Sequence, residues 1–97
     1  MLITQTEFPQ LLTIQPNIFE DTRGYFFESY NKNVFAKAGL TMEFVQDNQS
    51  KSTKGTLRGL HFQNPPFAQG KLVFVIKGKV LDVVVDIRKA SPSFGKY

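Results

Sequence analysis

At 97 residues the chain fits one small domain, spanning 1–97, and the absence of cysteine removes disulfides and matches a reducing compartment. Its formal net charge of +4, from twelve Lys and Arg against eight Asp and Glu, is scattered, with no basic helix or RNA-binding signature, which argues against a nucleic-acid partner. The longest apolar runs, Leu72–Ile76 and Val83–Val85, are far short of a membrane span, and Met1 is followed by no basic, apolar leader; the expectation is a soluble, cytoplasmic protein with no membrane partner.

In chain order, Leu11-Leu12-Thr13-Ile14 is a short strand ended by Pro16, and Phe19 to Gly24 reads as a turn in which Asp21 and Gly24 supply the local bonding and permissive backbone. Tyr25 to Tyr30 follows as a strand. Asn31 or Asn33 then caps a brief helix with Val34, Phe35 and Ala38 as its apolar positions and Gly39 just past its end. Phe44 to Asn48 is a further strand, and Gln49 to Gly55 a polar loop. The strongest period-two signal comes last: Leu72–Ile76, a turn at Lys77-Gly78-Lys79, and Val80–Arg88 read as a β-hairpin. On its returning strand Leu81, Val83, Val85 and Ile87 face inward, while Asp82, Val84, Asp86 and Arg88 form a wet face. Ten Phe and three Tyr without Trp favour a packed β core. The fold class that follows is all-β, an antiparallel barrel or jelly roll with one short helix. A strong hairpin with no later partners would leave exposed edges, so the chain reads as cut short.

The chemistry concentrates in Gly55-Thr56-Leu57-Arg58-Gly59-Leu60-His61-Phe62-Gln63-Asn64-Pro65-Pro66, with Lys71 beyond it. His61 is the chain's only histidine, and imidazole alone has an unperturbed pKa, roughly 6.5, that lets it trade a proton near neutrality. A base flanked by cations suits proton abstraction beside a carbonyl, where the cations hold the oxyanion that forms. The alternative is a structural histidine hydrogen-bonded at a strand end. One histidine and no cysteine cannot furnish the three protein ligands usual for a catalytic metal, so no metal is expected.

Five runs together carry a resemblance. They are Asp21-Thr22-Arg23-Gly24-Tyr25-Phe26-Phe27-Glu28, Val45-Gln46-Asp47-Asn48-Gln49-Ser50, Gly55 to Pro66, Gln69-Gly70-Lys71-Leu72-Val73, and Val83 to Gly95. In this order they resemble the N-terminal half of the dTDP-4-dehydrorhamnose 3,5-epimerase family. The resemblance implies a cupin-like jelly roll, a homodimer whose partners lend residues to each other's sites, and no cofactor. It also implies the activity: conversion of dTDP-4-dehydro-6-deoxy-D-glucose to dTDP-4-dehydro-L-rhamnose by proton abstraction α to the C4 ketone and return from the opposite face.

Carried over by motif position, His61 resembles the family's proton acceptor and Lys71 the lysine near the C4 oxygen. Arg58 and Arg23 look like diphosphate ligands, a role suited to the guanidinium fork. Glu28, Gln46, Asp47 and Asn48 are similar to the contacts for nucleotide and sugar, and Phe26 offers an aromatic face, with a core role as its alternative. Lys71 and the arginines have an ordinary reading as solvated surface cations. In a regular strand Arg58 and His61 would point to opposite faces, and Gly59 between them is the residue that could bring both to one cavity.

The family's proton-donor tyrosine and the acid that orients its histidine lie beyond residue 97, and Tyr25, Tyr30 and Tyr97 do not match that tyrosine. The second reading is therefore a truncated, non-catalytic nucleotide-sugar-binding module of the same fold.

Overall fold

Two antiparallel hairpins and one short helix are the regular elements of the computed structural model, which describes all 97 residues. Strand β1 (Leu2–Gln5) pairs with β2 (Leu12–Gln15) in the register Leu2 to Gln15 and Ile3 to Ile14. The connecting loop closes on Thr6: its amide donates to Leu11 O (3.1 Å), and its hydroxyl donates to the same oxygen (2.9 Å) and accepts from the Phe8 amide (3.1 Å). Strand β3 (Ile18–Asp21) pairs with β4 (Gly24–Phe27) across the two-residue turn Thr22-Arg23. Asp21 builds that turn by accepting the Arg23 amide at 2.8 Å, the local bonding that suits Asp to turns.

Helix α1 (Lys32–Lys37) forms where the sequence places it. The Asn31 side chain accepts from the Asn33 and Val34 amides at 3.0 and 3.2 Å, capping the N-terminus. At the other end Gly39, at φ +85°, lets its own amide reach Ala36 O (3.0 Å) and the Leu40 amide reach Phe35 O (2.9 Å), a Schellman closure. Six residues are too few to be helical on propensity alone. Packing supplies the rest, for Phe35 is the one fully buried side chain, edge-on to Tyr30 at 4.9 Å, and Tyr30 in turn meets Phe44 at 5.5 Å.

The all-β character with one short helix agrees with the sequence reading, but three details differ. Leu2–Gln5 is a strand not anticipated, and Ile18–Asp21 is ladder rather than turn, because the reversal needs only Thr22 and Arg23. Beyond α1 no segment pairs into a ladder, so Phe44–Asn48, Leu72–Ile76 and Val80–Arg88 are not hydrogen-bonded strands here. The inward and wet faces assigned to the last of these do not hold either: Leu81 is 91% exposed and Asp86 is buried. Alternation reports a face only when a second layer covers it, and nothing in the chain packs over Leu81.

The result is an open architecture. Only Phe35, Asp86 and Ser93 are buried, and the radius of gyration is 15.6 Å, against about 13 Å for a compact domain of 100 residues. Backbone–backbone hydrogen bonds number 24, well under the roughly two per three residues of a fully paired domain.

The best-satisfied polar group lies in the last fifteen residues. Oδ2 of Asp86 accepts from the Ser91 and Ser93 hydroxyls, both at 2.6 Å, and from Arg88 Nη2 at 2.7 Å. Its Oδ1 accepts from Arg88 Nε (2.9 Å) and the Arg88 amide (3.0 Å). Main-chain bonds close the loop, Asp86 N to Lys96 O at 3.0 Å and Gly95 N to Asp86 O at 2.7 Å. Arg88 foremost, then Ser91 and Ser93, hold the carboxyl far below its ordinary value of 3.8.

Two outcomes are expected. Asn31→Ala should cost about 0.5–2 kcal/mol of helix stability, read as faster amide exchange confined to residues 32–40; unchanged exchange would remove Asn31 from its capping role. Because the folded Asp86 carboxyl titrates below its unfolded value, its stabilisation is complete above about pH 4 and declines as pH falls further toward the folded value. Carboxyl ¹³C shifts should accordingly show Asp86 still ionised at pH 3, about a unit below the ordinary aspartate value.

Candidate active site

The groove that gathers Arg58, His61 and Lys71 is built from segments far apart in sequence. A cavity of about 970 Å³ is lined by Gln10, Leu11 and Leu12 from the first hairpin, Phe35 from α1, Arg58 to Gln63, Gln69, Lys71 to Phe74, and Asp82 to Val85. Its lining is mainly apolar with a few polar groups, the make-up of small-molecule sites in general. Arg58, His61 and Lys71 all line it.

Gly59 answers the facing problem. At φ +111° it takes a backbone conformation that side-chain-bearing residues rarely adopt, so the chain from 58 to 61 is not a regular strand and both flanking side chains serve one cavity. Gly70, between the lining residues Gln69 and Lys71, permits a close approach to another part of the wall, since a Cβ there would lie 2.8 Å from the sulfur of Met42, which lines the groove.

Arg58 is steadied by the polar loop before it. Its Nε donates to Ser52 Oγ at 2.9 Å and its Nη2 to Lys51 O at 3.2 Å. Two lysine and arginine cations against the single carboxylate of Asp82 leave this wall suited to an anion. Asp82 was not singled out from the sequence, because the hairpin pattern placed it on a solvated face; it is the one acidic side chain lining the groove. Gln63 and Gln69 line it too, and their signal was their position, each two residues from His61 or Lys71.

The other site residues from the sequence lie elsewhere. Arg23 and Phe26 line a separate cleft of about 520 Å³ beneath the β3–β4 turn, with Phe19, Glu20, Asp21, Gly24 and Tyr25. The Arg23 guanidinium embraces the Asp21 carboxylate, and this hydrogen bonding lowers the Asp21 pKa and raises that of Arg23. Phe26 is 70% exposed, so it is no part of a core. Glu28 accepts from Asn31 Nδ2 at 3.1 Å, and Gln46 Nε2 donates to Asn48 Oδ1 at 3.3 Å; neither pair, nor Asp47, lines the groove. No three His, Cys, Asp or Glu side chains come together as a metal set, and no helix is long and apolar enough to cross a membrane.

Comparison with known proteins agrees with the sequence motifs. The family profile described as dTDP-4-dehydrorhamnose 3,5-epimerase matches residues 5–97. A dTDP-4-dehydrorhamnose 3,5-epimerase of Shigella flexneri is 58% identical over 98 aligned positions, covering 100% of this chain and 54% of that protein. One of Methanothermobacter thermautotrophicus is 47% identical over 93 positions, covering 96% and 50%. A 1.63 Å crystal structure of dTDP-4-dehydrorhamnose 3,5-epimerase from Bacillus anthracis, with TDP and PPi bound, superposes with a TM-score of 0.89 at 49% identity. It covers 98% of this chain and 55% of its own. The chain thus spans about half the length of the relatives it matches, and it follows the backbone of an epimerase of the cupin-like class expected from its sequence. By profile, identity and fold, this chain belongs to the dTDP-4-dehydrorhamnose 3,5-epimerase family.

Proposed function

We propose that this chain carries the base and oxyanion-holding part of a nucleotide-sugar 3,5-epimerase site. The reaction would convert dTDP-4-dehydro-6-deoxy-D-glucose to dTDP-4-dehydro-L-rhamnose, in the cytoplasm and without a cofactor. The observation that supports it is the convergence of Arg58, His61 and Lys71 on one groove from segments that share no hydrogen-bonded ladder.

Chemically, the imidazole of His61 takes the proton from C5 or C3, each adjacent to the C4 ketone. The electron pair moves into the C4 carbonyl, and the Lys71 ammonium stabilises the oxygen anion that results. Arg58 holds the diphosphate through its donor fork, and a proton delivered to the opposite face then inverts the carbon. Arg23 and Phe26 lie outside the groove on an exposed hairpin, an arrangement that suits a homodimer in which the hairpin of one copy completes the site of the other, with Glu28 and Gln46 to Asn48 meeting nucleotide and sugar.

One observation favours a second reading. None of the three tyrosines lines the groove, so a tyrosine donor for the opposite face is not among its lining residues. On that reading the chain is a non-catalytic binding module for the same nucleotide sugar.

Proton NMR of dTDP-4-dehydro-6-deoxy-D-glucose with the chain in D₂O separates the two. Deuterium entering C3 and C5 is the expected result, abolished in His61→Ala with nucleotide affinity retained. Lys71→Ala should slow it by roughly 10²–10³-fold, the loss typical of one oxyanion donor. Undiminished exchange in His61→Ala would remove it as the base, whereas binding without any exchange in the unsubstituted chain would establish the binding module.

A further inference from the structure

The Asp86 cluster reaches beyond its own loop at one point. Arg88, already gripping Asp86 through Nε and Nη2, sends Nη1 to Gln10 Oε1 at 2.8 Å and Nη2 to Pro9 O at 3.2 Å. These bonds join residues 78 and 79 positions apart. The two segments they join are opposite contributors to the groove: Gln10 and Leu11 line it from the first hairpin, and Asp82 to Val85 from the segment leading into Asp86.

Gln10 carries a second mark. It is the only non-glycine residue with positive φ, at +71°, a conformation that costs energy and persists where surroundings impose it. Arg88 bonds both its side chain and the carbonyl before it.

We propose that Arg88 is a positioning residue, clasping the Pro9-Gln10 turn to Asp86 and so fixing the two walls of the groove that holds His61 and Lys71. This role rests on reading that groove as the nucleotide-sugar site. Arg88 touches no substrate in it; the guanidinium acts through Gln10 on one wall and through Asp86 on the other. The arrangement uses the whole donor fork, which lysine could not reproduce. It also explains why so much bonding converges on a segment otherwise without regular structure.

Gln10→Ala is the informative variant, because alanine has the same Cβ and bears the same backbone cost at φ +71°, so only the acceptor is lost. Amide hydrogen exchange and thymidine diphosphate affinity are measured in the chain and in Gln10→Ala, Gln10→Glu, Arg88→Met and the Gln10→Ala/Arg88→Met double variant. The expected result is faster exchange at the Asp86 and Gly95 amides in Gln10→Ala, and nucleotide binding weakened roughly tenfold, the effect of one charge-assisted hydrogen bond. Gln10→Glu should restore both, and the double variant should bind no worse than Arg88→Met. Exchange that quickens only within residues 6–11, or affinity unchanged while the distal amides loosen, would overturn the positioning role. Failure of the unsubstituted chain to bind thymidine diphosphate would count against the nucleotide-sugar reading, and the exchange measurements alone would then decide whether the clasp joins the two walls.

Discussion

The carboxylate of Asp86 anchors the closed loop of residues 86–96, the best-bonded part of the last third of the chain. Elsewhere in that stretch the backbone has few partners, yet here one side chain receives five hydrogen bonds while its main chain makes two more. A buried carboxylate without such donors would be costly, and satisfied by serines and a guanidinium it becomes the most specific contact available. Apolar packing does little of this work, since Phe35 is the only apolar side chain fully removed from water. The chain is organised by polar closure at one end and by a single aromatic nest, Tyr30, Phe35 and Phe44, near its middle.

What the sequence made legible follows from the range of the forces involved. Helix α1 was readable because its determinants are local: Asn31 caps its own first turn, and Gly39 closes the last. The strand at Leu12–Gln15 was readable for the same reason, while its partner Leu2–Gln5, four residues with weak alternation, was not. The late hairpin had the clearest pattern and yet, like Phe44–Asn48, lacks a ladder, because apolar alternation records what a strand is suited to pack against and not whether that surface is present. Asp86 shows the converse: period-two logic assigned it to water, but Ser91, Ser93 and Arg88 lie close in sequence and draw it in.

The groove was legible in part. His61, Lys71 and Arg58 were identified by chemistry and by motif, and Gly59 was the residue on which their common facing turned. Asp82 escaped notice because strand alternation was applied to a stretch that is not a strand. The distribution of Arg23 and Phe26 onto a different cleft depends on how the β3–β4 hairpin projects, which is a tertiary fact with no local signature. Sequence similarity compensates for this where physics alone is silent, since relatives carry the outcome of contacts a single chain cannot display.

The run Leu72-Val73-Phe74-Val75-Ile76 is bracketed by Lys71 and Lys77, and its last four residues are between 43% and 64% exposed. Five adjacent residues of high β-propensity, with neither charge nor proline, make a self-templating segment when uncovered. A lysine at each end is the kind of gatekeeper that keeps such a segment from stacking on copies of itself. Lys71 therefore carries a colloidal role whatever it does in the groove, and neutralising it removes half of the charge barrier guarding the most adhesive stretch of the molecule.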